Sequence, residues 1–183
     1  MKILLVSFII ASVGFCTPKC DESNLIDAYA FPENMEEFIP YEDQDQFTLV
    51  HNLGTKIQFE VLRNSTVESG VCDHCCDYNT YENEELFIIT DYPFYEIQFY
   101  ITAGEDERFH YGISIGRDFF SLNEEMQMSD SIKINGQYFH DVFKLKSNSY
   151  SEEYEREIDS LYFNYSTGIL KIIQQNGDTY ELL

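Results

Sequence analysis

The chain has 183 residues and carries 33 acidic against 11 basic side chains, a formal net charge of −22. That charge repels phosphate backbones and anionic lipid surfaces. It argues against nucleic-acid binding and against peripheral docking on acidic membranes, while favouring solubility and, if any charged partner, metal cations or basic groups. The length, less a leader, suits one domain with a sizeable core, and the aromatic share of 16%, all Tyr and Phe with no Trp, suits pleated, half-buried strands.

Residues 1–16 read as a signal peptide: Lys2 is followed by an apolar run over 3–13 broken only by Ser7 and Ser12. The run is too short for a membrane span with those flanks, and no later stretch is apolar enough to cross a bilayer. The mature chain is therefore expected to be soluble or lipid-anchored. Val13, Gly14 and Phe15 precede Cys16, the candidate lipid-attachment residue; Gly14 fits the small-residue box before an acylated cysteine and Phe15 does not. Cleavage after Gly14 or after Cys16, giving a free secreted protein, is the alternative.

The five cysteines are Cys16, Cys20, Cys72, Cys75 and Cys76. Lipidation or removal of Cys16 leaves an even set of four, which in an exported chain reads as two disulfides. A bond between the adjacent Cys75 and Cys76 would need a strained ring. Cys20 is therefore expected to join one of the 72–76 cluster, with Cys72 bonded inside it. Closing so long a loop is worth ~3–4 kcal/mol in the chain-entropy picture. The competing reading is a metal site at Cys72, His74, Cys75 and Cys76, because zinc takes N and S ligands and C-x2-C is its usual half-site. A second half-site is missing.

Residues 17–46 form an acidic arm with Pro32 and Pro40 as breakers, in which Phe31, Met35, Phe38 and Ile39 could dock a short helix over 33–38 on a sheet. Asp43-Gln44-Asp45 resembles part of a calcium loop but lacks its glycine and its bidentate Glu, so it reads as a solvated turn. From Phe47 the period changes to two. Residues 47–51, a turn at Asn52-Leu53-Gly54-Thr55, and alternating Ile57, Phe59 and Val61 make a hairpin with one apolar face. A cysteine loop is expected over 64–83. Strands follow at 86–90, at Ile97, Phe99 and Ile101, at 109–115 and at Phe119-Phe120, with a polar loop or helical turn at 123–129. The last third is the most legible: strands separated by turns at Asn135-Gly136, Thr167-Gly168 and Asn176-Gly177, since Asn-Gly between apolar runs is the strongest short-range hairpin signal. The expected fold is all-β: an antiparallel up-and-down meander of about ten strands over 47–183, curled or closed into a barrel.

Motifs for chemistry are sparse. Gly112-Ile113-Ser114-Ile115-Gly116 matches G-x-S-x-G, but a nucleophile elbow needs a parallel strand, a sharp turn at the serine and a helix after it, whereas these residues sit in an alternating strand. His51, His110 and His140 are scattered on strands, and carboxylates are too abundant for any pair to carry information. Neither a phosphate-cradling glycine loop nor a dinucleotide fingerprint is present. Asn64-Ser65-Thr66 and Asn164-Tyr165-Ser166 fit N-glycosylation acceptors, which matter only in a eukaryotic secretory route.

The run from Ile132 through Asn135-Gly136, Tyr138 and Val142, the pair Tyr162-Phe163 leading to Gly168-Ile169-Leu170, and the final Asn176-Gly177 turn resemble the ending of small β-rich lipoproteins of Gram-negative cell envelopes. The resemblance spans about 50 residues and departs from that group at Phe15 in the lipid-attachment box. It implies export, a β fold and a place in the envelope, as an outer-membrane lipoprotein, a periplasmic protein or, alternatively, a secreted one. It brings no activity, cofactor or catalytic residue. The expected function is a non-enzymatic binding or structural interaction module with a protein or small-molecule partner. Membrane contact comes only through an N-terminal lipid. A carrier of a small apolar ligand in a barrel cavity and a metal-binding protein at the cysteine cluster are the alternatives.

Overall fold

The Asn135-Gly136 pair adopts positive φ at both residues, 47° and 87°, the geometry that a two-residue hairpin turn requires. Tight turns with a positive-φ glycine join five of the successive strand pairs. The computed structural model describes residues 25–71, 78–90, 95–104, 108–122, 127–147 and 157–183. They form twelve strands: β1 (Leu25–Tyr29), β2 (Gln46–His51), β3 (Lys56–Val71), β4 (Tyr78–Thr90), β5 (Tyr95–Ala103), β6 (Phe109–Ile115), β7 (Asp118–Leu122), β8 (Gln127–Ile134), β9 (Gln137–Lys146), β10 (Ile158–Asn164), β11 (Gly168–Gln174) and β12 (Thr179–Leu182). A 3₁₀ turn over Met35–Phe38 lies where a short helix was expected.

The fold is all-β, a single antiparallel sheet strongly curled into a half-barrel. Its strand order is β7-β6-β5-β4-β3-β2-β12-β11-β10-β9-β8, with β1 added in parallel to β4. Two meanders, β2 to β7 and β8 to β12, are thus zipped side by side through β2 and β12, where Leu49 faces Leu182 and His51 faces Tyr180. The two free edges, β7 and β8, are only five chain links apart, Leu122 to Gln127. Five links span at most ~17 Å, so the sheet must curl until its edges nearly meet.

The curl puts one apolar face inside. Leu49, Val61, Leu86, Ile88, Ile97, Phe99, Ile101, Ile113, Phe120, Leu161, Phe163 and Ile169 are fully buried there, as the period-two pattern demands. Aromatic rings fill the middle. Phe47 stacks on Tyr41 and Phe59 at centroid distances of 5.1 and 5.2 Å, and Phe99 meets Phe163 and Tyr111 at 5.8 and 6.0 Å. Tyr41, from the arm, lies across this interior, and its hydroxyl accepts a hydrogen bond from the Ile169 amide at 2.7 Å. Gly168, at φ 86°, leaves the space for that ring; a Cβ there would overlap the Tyr41 ring carbon and hydroxyl.

A second, smaller cluster sits on the outer face. The sequence shows Ile169, Leu170, Ile172 and Ile173 with no alternation, and the structure supplies the reason. Leu170 packs with Ile134 and Val142 on the opposite side from Ile169 and Ile172. Asp141 takes φ 53°, bending β9 so that its first half leaves β10 and folds with β8 over the outer face. Asn135 Nδ2 donates to the Leu182 carbonyl at 2.6 Å and Asn164 Nδ2 to the His140 carbonyl at 3.1 Å, pinning this flap.

β2 to β12, eleven strands, answer to the expected meander of about ten, while three finer expectations need correction. The arm, expected to be irregular or helical, also contributes a strand, because β1 joins the sheet beside β4. The stretch 64–83 is mostly strand: β3 and β4 pair rung for rung from Glu60–Ile89 out to Val71–Tyr78. It reads as loop in sequence because the outer end of this ribbon has Asn64, Ser65, Val67, Glu68, Ser69 and Gly70 all exposed, leaving no apolar face to alternate. The third is 123–129, whose final residues, Gln127 onward, belong to β8.

The Tyr41 clamp yields a direct test. Gly168→Ala combines a strained positive φ with an overfilled core and is expected to lower the unfolding free energy by about 2–4 kcal/mol in urea titration. Tyr41→Phe, which leaves the Ile169 amide without its acceptor, is expected to cost about 1–3 kcal/mol.

Candidate functional site

Alternation assigns the outer face of β5, β6 and β7. With Ile97, Phe99, Ile101, Ile113, Ile115 and Phe120 turned into the core, the intervening residues point out. Register then places them in rows. Tyr100 faces Gly112, which faces Ser121; Thr102 faces His110; Ser114 faces Phe119. A residue without a side chain therefore stands at the middle of a ring of longer ones. The result is an open trough of about 590 Å³ over Gly112, within the ~300–1,000 Å³ range of small-molecule sites.

Phe119 leans diagonally across the strand and rests its ring tip on the floor: a Cβ on Gly112 would sit 2.7 Å from that ring. Tyr100 stands on the other side. Around these two rings lie the hydroxyls of Thr102, Ser114 and Ser121 and the imidazole of His110, with Arg117 at the turn beyond. The lining is mixed, part ring surface and part donors and acceptors that can rotate to suit a guest.

Ser114 and His110 share the trough yet cannot form a nucleophile–base pair. They are four residues apart on one strand, ~13 Å at ~3.3 Å per residue, whereas such a pair needs ~3 Å. The chain also runs on as strand through Ile115, between antiparallel neighbours, with neither a turn at the serine nor a helix after it.

The buried carboxylates are engaged elsewhere. Asp118 opens β7 at one free edge and is 2% exposed. Its Oδ1 accepts from the Ser147 hydroxyl beyond β9, and its Oδ2 accepts from the amides of Glu157 and Ile158 at 3.0 and 2.9 Å. It latches the two halves of the sheet across the seam. Glu84 on β4 accepts from Arg63 Nε at 3.0 Å and from the Ser65 hydroxyl at 2.6 Å. The same guanidinium donates from both terminal nitrogens to Glu36 of the arm, at 3.1 and 2.9 Å. Hydrogen bonding from Arg63 holds the Glu36 carboxyl below its ordinary value, and the two carboxylates raise the guanidinium further above neutrality. Asp43, in the calcium-like turn, accepts from the Arg63 amide at 3.0 Å, and Asp45 from the Glu42 amide at 2.8 Å. Among the described residues no group of three or more His, Cys, Asp or Glu side chains could hold a metal ion.

His51 is held by the Leu53 amide on Nδ1 at 3.2 Å and lies 3.5 Å from Asp178, and His140 Nδ1 lies 3.3 Å from the Asp130 carbonyl. Inside the core, Tyr111 is 4% exposed, and its hydroxyl has no hydrogen-bond partner among the described residues. Burial pushes its ionisation well above the ordinary phenol range. The sequence-predicted site residues Cys16, Cys20, Cys72, His74, Cys75 and Cys76 all lie outside the described residues. Sequence reasoning missed the trough, although a glycine at the centre of an alternating strand, with a phenylalanine across the next turn, is a readable sign of it.

The seam and the arm each give an expected outcome. Asp118→Ala is expected to lose about 2–3 kcal/mol of unfolding free energy, because a charged acceptor of three hydrogen bonds disappears from a buried position. The linkage at Glu36 has a definite sign. With a folded pKa below the ordinary 4.5, its contribution is complete at neutral pH and is lost as pH falls through that lowered value. The stability gap between wild type and Glu36→Gln, at most about 1 kcal/mol for so exposed a pair, is therefore expected to close in acid when unfolding is followed against pH.

Comparison with family models, with curated proteins and with solved structures finds no match to this chain.

Proposed function

We propose that the chain is an exported cell-envelope protein that binds a partner without transforming it, and that the outer face of β5, β6 and β7 is its binding face. The observation that carries this reading is the trough over Gly112, a small-molecule-sized depression lined by rings and hydroxyls, in which Ser114, the serine of the G-x-S-x-G match, stands too far from His110 for nucleophilic chemistry. The export pattern over residues 1–16 supports the envelope as its place, with Cys16 as the lipid-attachment residue. The carrier alternative asks for space inside the half-barrel, and among the described residues that side is filled by Tyr41, Phe47, Phe99, Tyr111 and Phe163.

The described flanks also favour a link between Cys20 and the Cys72, Cys75 and Cys76 cluster. Val71 pairs with Tyr78, so residues 72–77 connect the two strands at the tip of the long ribbon. Leu25 pairs with the same Tyr78. Cys20 is five residues earlier, within ~17 Å of chain from that tip. Such a bond would tie the arm to the ribbon where a lipid on Cys16 would tether the molecule.

Fractionation of a native-like host, followed by intact mass and a non-reducing peptide map of the mature protein, tests the reading. Recovery in the envelope, an acyl mass on Cys16 and a peptide joining Cys20 to the 72–76 segment are expected. A cytosolic product that starts at Met1 with free thiols would sink it, as would a turnover abolished by Ser114→Ala.

A further inference from the structure

We infer that the occupant of the trough is a neutral saccharide, one stretch of an oligosaccharide or glycan chain lying across Gly112. This rests on the assignment of the trough as the binding face. A pyranose has two kinds of surface, a flat patch of C–H bonds and a rim of hydroxyls, and the trough offers a counterpart to each.

The C–H patch needs an aromatic wall. Phe119, seated on the glycine floor, and Tyr100, one strand over, supply two. The Phe119 ring fills the space that Gly112 leaves by having no side chain, so it lies low as an aromatic floor with Tyr100 standing beside it, and any larger residue at position 112 would push that ring up into the trough. The hydroxyl rim needs groups that both donate and accept at short range, because sugar hydroxyls do both. Thr102, Ser114, Ser121 and the two-sided imidazole of His110 are groups of that kind. They ring the trough at alternate positions of three adjacent strands, which spaces them ~5 Å apart across the sheet and ~7 Å along it. A rigid polyhydroxylated ring can meet several of them at once.

Charge selects the neutral member of the class. The chain carries −22 overall, so an anionic guest meets a repulsive field on approach. Of the charged residues in the lining, Arg117 is a cation, and Asp118, the one carboxylate there, is turned into the core and accepts three hydrogen bonds from Ser147, Glu157 and Ile158, so the lining itself gives a cationic guest no open carboxylate. An apolar guest would strip water from four hydroxyl or imidazole groups and give nothing back. A partner offering uncharged hydroxyls together with apolar C–H faces satisfies all three conditions.

The test uses the full mature protein and a panel of neutral oligosaccharides built from glucose, galactose, mannose and N-acetylglucosamine, followed by titration calorimetry and saturation-transfer NMR. At least one class is expected to bind with micromolar to millimolar Kd, its C–H protons receiving the strongest transfer. Tyr100→Ala and Ser121→Ala, at half-exposed positions on the outer face, are expected to weaken binding tenfold or more, with thermal melting of each variant confirming that it is folded. Ser121→Trp, which fills the trough from the edge strand, should abolish it. A blank panel, with Ser121→Trp still releasing the protein from envelope material, overturns the saccharide and leaves the binding face standing. Saccharide binding that none of the three variants changes overturns the site.

Discussion

Closure of the sheet on itself is the constraint from which the other features follow. β12 pairs with β2, so the ends of the β domain meet in the middle of the sheet and its sequence midpoint is left at the two edges. The short connection from Leu122 to Gln127 then forces those edges together. Asp118 fixes the result with three hydrogen bonds to residues 29 to 40 positions further along the chain. A flat sheet of eleven paired strands would leave two long edges open to aggregation. Here β7 lies against β9, and the buried Asp118 carboxylate bonds across that seam where a ladder would otherwise be.

The curl also decides what each face can do. A half-barrel of this width encloses too little space to stay hollow, and the rings of Tyr41, Phe47, Phe59, Phe99 and Phe163 take it up. Under the proposed function, binding is thereby left to the outer face. On one flank the β8–β9 flap covers the outer face and makes a second cluster around Leu170. On the other flank nothing among the described residues covers β5, β6 and β7. The trough over Gly112 lies on that uncovered side, with a rigid, fully buried layer of isoleucine and phenylalanine directly beneath it, so its rings and hydroxyls are held on strands whose register cannot slip.

Much of this was legible in the residues. Alternation at Ile57, Phe59 and Val61, and at Ile97, Phe99 and Ile101, announced strands with one buried face, and Asn135-Gly136 announced its turn. What escaped had physical causes. The outer end of the β3–β4 ribbon has no apolar face because it protrudes from the sheet, and period-two reasoning has nothing to read there. The place of β12 beside β2 is a long-range pairing that no local signal encodes. The bend at Asp141 shifts the phase of β9, so that Phe139 and Val142 serve the outer cluster while Leu145 serves the core. The trough was hidden for another reason: it is made by what Gly112 lacks, and its other members come from strands brought beside it only by folding.

The acidic composition looks at first like a surplus of potential acids and bases, and the structure shows where its buried members are used. Glu84 and Asp118 are the carboxylates below a tenth exposed among the described residues. Burying either without partners would cost several kcal/mol. Each is instead saturated by donors from distant parts of the chain: Glu84 by Arg63 and Ser65, and Asp118 by a hydroxyl and two amides. Arg63 in turn bridges Glu84 to Glu36, which binds the arm to the ribbon. Carboxylates bonded in this way hold two elements in register. The other acids among the described residues lie nearer solvent. The buried negative charge therefore serves folding, and under the proposed function recognition is left to the groups around Gly112.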